Sequence, residues 1–116
     1  MFTYVATIGV FMKHIATPEF IALFEQYPLY SQENNKDQLI IAKLFDTFGS
    51  ATWYLIEYNP VDKIAFGYVT GLISDEWGYV SIEELEQINH EQLGIPRIER
   101  DLYFTQAVFS EVVKPM

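Results

Sequence analysis

Glu99, Arg100 and Asp101 occupy three consecutive positions, and acid/base or cation chemistry would be sought there first. If residues 98 to 105 (IERDLYFT) form a strand, Glu99, Asp101 and Tyr103 share one side, and Ile98, Arg100, Leu102 and Phe104 the other. Two carboxylates held on one side raise one pKa or recruit a hard cation, although an ion network is the commoner result. Arg100, on the apolar side, should be partly buried, and a buried guanidinium needs a carboxylate. Glu57 is an acid on the same side as Trp53 in ATWYLIEY (residues 51 to 58), so a Glu57–Arg100 pair is expected.

Other catalytic patterns are weaker. His14 and His90 have no HExxH or paired spacing and read as satisfied surface histidines, so no metal set is expected. There is no G-x-S-x-G elbow, and GYVTG at 67 to 71 lacks the Lys-Ser/Thr ending of a phosphate loop. The absence of Cys excludes disulfides, thiolate zinc sites, cysteine nucleophiles and cysteine-held iron–sulfur clusters. It also fits a reducing compartment. No catalytic residue and no cofactor follow from these residues.

Sixteen acids against seven Lys and Arg give a net charge of −9, which disfavours direct nucleic-acid binding. Residues 75 to 101 carry eight of the acids, Asp75, Glu76, Glu83, Glu84, Glu86, Glu91, Glu99 and Asp101, against Arg97 and Arg100. Some of them answer the dipole of a helix start; Asp75, Glu76, Glu83 and Glu86 are the candidate acidic surface for a partner. Two Trp, eight Tyr and nine Phe exceed what a core in 116 residues must contain, so some rings should reach the surface, where Tyr and Trp favour interfaces.

The elements that must position these groups are legible in outline. Thr17 caps a helix with Pro18 at its first position, and Phe20, Leu23, Phe24 and Tyr27 form its apolar face before Pro28. Residues 31 to 37 (SQENNKD) read as a polar loop able to move. Strands are expected over 38 to 45, 51 to 58, 64 to 70, 77 to 80 and 98 to 105, with Asn59, Pro60 and Asp62 turning the second into the third as a hairpin. Gly67 hints at a bulge or a close approach, and Ser81 with Glu84 is a capping box opening a helix that runs to residue 89 or 90. The tail after residue 105 is open between extended chain and a helical turn. The expected fold is α+β: one domain, an antiparallel sheet of about four or five strands, with two or three packed helices. Residues 1 to 12 (MFTYVATIGVFM) lack a basic region before the apolar run and are too short to span a membrane. They read as a strand or an amino-terminal extension ahead of a domain from 13 to 116, with Met12 an alternative start.

From Lys43 to Phe104 the chain resembles the bacterial family DUF2958. The segments that carry the resemblance are KLFDTFGSATWYLIEYNP (43 to 60), IAFGYVTGL (64 to 72), EWGYVSIEELEQI (76 to 88) and LGIPRIERDLYF (93 to 104). It implies a small protein of bacteria or their mobile elements with no assigned activity. Trp53, Gly67, Gly78, Tyr79, Glu84, Glu99, Arg100 and Asp101 fall where the family's motifs have recurring residues. With the backbone and capping roles set aside, Trp53, Glu57, Glu99, Arg100 and Asp101 form the candidate functional cluster. The expected role is a non-enzymatic, cytoplasmic protein-interaction module, monomeric or homodimeric, with another protein as partner and no membrane or nucleic-acid contact. Two alternatives are a small-ligand binder or enzyme built on Glu99, Arg100 and Asp101, and an acidic mimic of DNA that inhibits a defence nuclease.

Overall fold

Thr17, itself extended, caps helix α1 (Pro18–Leu23): its Oγ1 accepts the Phe20 N–H at 3.2 Å, while Pro18 needs no such partner. The helix is shorter than its apolar stripe, because the Phe24, Glu25 and Tyr27 N–H groups bond three residues back. Phe20 and Phe24 are buried nonetheless, packed on each other and on Tyr58 with ring centroids 5.0 to 5.7 Å apart.

In this computed structural model, which describes residues 13–113, strands follow as β1 (Leu39–Ile40), β2 (Ala42–Asp46), β3 (Thr52–Asn59), β4 (Ile64–Thr70) and β5 (Glu76–Ser81). Helix α2 (Ile82–Glu86), β6 (Ile98–Arg100), β7 (Ala107–Val108) and helix α3 (Phe109–Val112) complete the order. Five strands form an antiparallel sheet in the order β5-β4-β3-β2-β6, and β1 pairs with β7 in a separate ribbon. The architecture is α+β, as expected. Residues 1 to 12 lie outside the described residues.

The strand expected over 38 to 45 is two strands, broken at Ile41, whose N–H reaches the Leu55 carbonyl at 2.8 Å. The strand expected over 98 to 105 stops at Arg100, because the Asp101 carboxylate takes the Tyr103 N–H and turns the chain. Ser81 Oγ accepts the Glu84 N–H at 3.1 Å, one half of the expected capping box, and α2 is only five residues long.

The central strand β3 carries the feature that decides the rest. Leu55 pairs with Gly67 and Glu57 with Phe66, so Ile56 is an extra residue, a β-bulge. An added Cβ on Gly67 would lie 2.3 Å from the Tyr54 carbonyl oxygen, so only glycine admits this close approach. One inserted residue exchanges the faces beyond it. Tyr58 therefore joins Trp53 and Leu55 on the face packed against α1 and α2, and Glu57 moves to the face of Tyr54, Phe66 and Tyr68. The expected placement of Glu57 beside Trp53 is corrected by this bulge.

The first face is sealed by Ile15, Phe20, Phe24, Ile82 and Leu85 over Leu44, Trp53, Leu55, Tyr58, Ala65 and Ile98. Burial of this kind contributes about 25 cal/mol per Å² of apolar surface. At the sheet's far end Arg97 Nε binds Asp46 Oδ1 at 2.7 Å. Burial alone would raise the Asp46 pKa, but the Arg97 hydrogen bond, the Phe48 N–H, the Arg97 charge and the Gly49 N–H together hold it below the usual value.

Candidate functional site

The second face is where rings remain open. Phe66 and Tyr68 of β4 stand directly opposite Tyr79 and Trp77 of β5, so the alternation within each strand places four rings on one surface. Phe66 lies 4.8 Å from Tyr79 and stacks on Trp77 at 5.8 Å. Trp77 in turn meets Tyr68 at 5.3 Å and Phe109 of α3 at 4.9 Å. Tyr79 stays 57% exposed at the edge of the sheet.

A loop closes this surface on its other side. Glu57, only 3% exposed, accepts the Tyr30 N–H on Oε1 and the Gln32 N–H on Oε2, both at 2.8 Å. These bonds hold Tyr30 in a left-handed backbone conformation (φ 74°), which costs a non-glycine residue about 1–2 kcal/mol. Gln32 is buried too. Its Nε2 donates to the carbonyls of Leu39 and of the bulge residue Ile56, and its Oε1 accepts from Leu39 N–H and Asn35 Nδ2. The loop expected to be free to move is therefore pinned where the bulge leaves a carbonyl outside the ladder.

Between loop and sheet lies a cleft of about 360 Å³, lined by Tyr30, Gln32, Glu33, Gln38, Ile56, Glu57, Phe66, Trp77 and Tyr79. The Tyr79 hydroxyl is pushed above its ordinary pKa by its hydrogen bond with Tyr30, then by burial, by Tyr30 itself and by the negative charges of Glu57 and Glu33. The cleft is thus an aromatic-walled hollow whose remaining lining is largely polar and acidic.

The cluster expected from the sequence is divided by the fold. Trp53 is buried in the sealed face and borders an apolar hollow of about 490 Å³ with Leu72, Ile73, Val80 and Leu85. Glu57 lies in the cleft on the opposite face. Glu99 and Arg100 line a third hollow of about 590 Å³ with His14, Thr17, Glu19, Pro96 and Leu102. Arg100 does point inward, with its side chain 15% exposed, but its carboxylate is Glu19 of α1 and not Glu57. Asp101 pairs with Lys43 at 3.7 Å.

The acidic set is divided as well. Asp75 accepts the Gly71 N–H in the turn before β5 and Glu76, the first residue of β5, accepts the Ser74 hydroxyl, while Glu83 pairs with Lys63 at 3.2 Å beyond the other end of that strand. Glu86, counted with the acidic surface, is turned inward: its Oε2 accepts the Ile15 and Ala16 N–H groups at 3.0 and 2.8 Å. His14 Nε2 donates to the Ile98 carbonyl, and His90 Nδ1 accepts from the Gln92 and Leu93 N–H groups. Among the described residues no three His, Cys, Asp or Glu converge as metal ligands, and no helix is long and apolar enough to cross a membrane.

The aromatic composition implies surface rings without locating them. The signal was the pair F-x-Y at 66 to 68 and W-x-Y at 77 to 79, which in an antiparallel hairpin of the observed register must share one face. Tyr30 carried no such signal, since its place depends on Glu57 far along the chain.

Residues 15–113 match the family model described as a protein of unknown function (DUF2958). No curated protein matches the chain, and no solved structure does.

Proposed function

We propose that this chain, which belongs to the DUF2958 family, is a non-enzymatic protein-interaction module of the bacterial cytoplasm or of a mobile element, with the β4–β5 aromatic cleft as its contact surface. The observation that carries the reading is the asymmetry of the sheet. One face is closed by α1 and α2, whereas the other, covered in part by the Tyr30 loop and Phe109, leaves Tyr30 62% and Tyr79 57% exposed over half-buried Phe66 and Trp77. Large, stiff rings with polar tips give contact area at small entropic cost, which is why Tyr and Trp are enriched at interfaces. The cysteine-free composition fits the compartment.

Affinity capture from the source cell tests this with four baits: the wild-type chain, Tyr79→Ala, Arg100→Ala and Glu83→Lys. The reading expects one stoichiometric partner that Tyr79→Ala loses by at least about tenfold, the scale of an interface hot spot, while Arg100→Ala retains it. Equal capture by all four baits removes the cleft as the contact surface. Loss with Arg100→Ala alone would move the function to the hollow of Glu99 and Arg100.

A further inference from the structure

The cleft joins ring walls to a buried carboxylate that has no cationic partner among the described residues, and we infer that it receives one cationic side chain, an arginine or a lysine, presented by the partner protein. This deepens the interaction reading above and rests on it; what it adds is the chemistry of the partner.

Three features of the cleft agree. Its walls are the rings of Tyr30, Phe66, Trp77 and Tyr79, whose faces carry partial negative charge and attract ammonium or guanidinium groups within about 6 Å. Its floor holds Glu57, and each carboxylate oxygen there accepts one backbone N–H and keeps a further lone pair. Glu33 adds a second acid to the lining. The ion pairs among the described residues engage Lys43, Lys63, Arg97 and Arg100 with Asp101, Glu83, Asp46 and Glu19, so none of them neutralises Glu57.

Two further observations separate a cation from other occupants. The Tyr79 hydroxyl, raised in pKa chiefly by its hydrogen bond with Tyr30 and by burial, also feels the charges of Glu57 and Glu33 as smaller contributions of the same sign, so both acids act toward the ring at the cleft mouth. The same sheet face already seats one cation on a ring, with Lys43 Nζ 5.9 Å from the Tyr54 centroid. An anionic group would meet Glu57, Glu33 and a chain of net charge −9. A neutral apolar group would leave the buried charge of Glu57 without a counter-charge.

Arginine and citrulline make the decisive probes, since they match in shape and differ in charge. The full chain is titrated with N-acetylarginine methylamide and with N-acetylcitrulline methylamide, following the Trp77 indole N–H resonance, assigned with Trp77→Phe. The arginine probe should shift that resonance and bind at least about tenfold more tightly than citrulline, as expected for a cation–π contact reinforced by a carboxylate. Glu33→Gln should weaken the arginine probe by about two- to fivefold, whereas Glu25→Gln, an equal charge change in the exposed turn after α1, should leave it unchanged. Equal binding of the two probes, or no arginine shift at Trp77, overturns the inference while leaving the captured partner and its Tyr79 dependence in place. Selective arginine binding with no captured partner counts against the interaction reading alone.

Discussion

The two faces of the five-stranded sheet each hold one buried glutamate, and the two are used differently. Glu86, 6% exposed, closes the sealed face by gathering the Ile15 and Ala16 N–H groups on a single oxygen. Glu57 divides its two oxygens between the Tyr30 and Gln32 N–H groups and borders a ring-lined cleft. Both satisfy a chain segment that would otherwise bury bare donors. Only Glu57 also projects a field into space that another molecule can enter. A buried acid is therefore not in itself the mark of a site; what distinguishes Glu57 is the unfilled, aromatic side of its surroundings.

The sharpest separation of the faces is expected from truncating one ring on each. Phe20→Ala should cost about 3–5 kcal/mol in urea unfolding, because Phe20 is fully buried against Phe24 and Tyr58. Tyr79→Ala should cost less than about 1 kcal/mol, the value for a largely exposed position. Comparable losses would break the distinction between a sealed face and an open one.

Next in size is the glutamate pair. Glu86→Ala strands two N–H groups and should cost about 2–3 kcal/mol while leaving the Trp77 indole resonance unmoved. Glu57→Ala should cost a similar amount and move that resonance, since Tyr30 loses its anchor. Identical spectra for the two variants would erase the difference between them.

Charge gives the smaller effects. Asp46→Asn should cost about 0.5–1 kcal/mol at neutral pH, discounted because Arg97 is partly exposed. With the Asp46 pKa lowered in the folded state, this stability is present above the unfolded value near 3.8 and is lost as pH falls below it, so wild type and variant should converge in acid. Tyr58 is the opposite case. Burial, then Glu86 and Glu83, push its pKa above the ordinary tyrosine value of 10.0, so its contribution is intact below pH 10.0 and is lost as pH rises through the folded value. Tyr58→Phe should therefore flatten the alkaline fall in melting temperature.

Local patterns were readable where neighbours in sequence determine the outcome. Thr17 with Pro18, the hairpin at Asn59 to Asp62, and the strand over residues 64 to 70 depend on nearby residues and fold as expected. Strict alternation from Trp53 puts Glu57 on the wrong face, because that alternation does not survive one inserted residue at Ile56. Gly67 hinted at that insertion without giving its position. The inward turn of Arg100 was legible from Ile98, yet its carboxylate lies 81 positions away in α1, a distance over which composition carries no register. The cleft needs both kinds of information, strand alternation for its rings and long-range packing for Tyr30.

Gln32 ties Leu39 of β1 to the bulge, β1 is held by β7, and α3 follows β7 directly to lay Phe109 against Trp77. These links form a ring of supports around the cleft, and its last members are also the last described elements to leave the ribosome. Until residues 107 to 112 emerge, the nascent chain leaves β1 without its partner strand and Trp77 without Phe109 against it, which makes that interval the one most open to mispairing during synthesis.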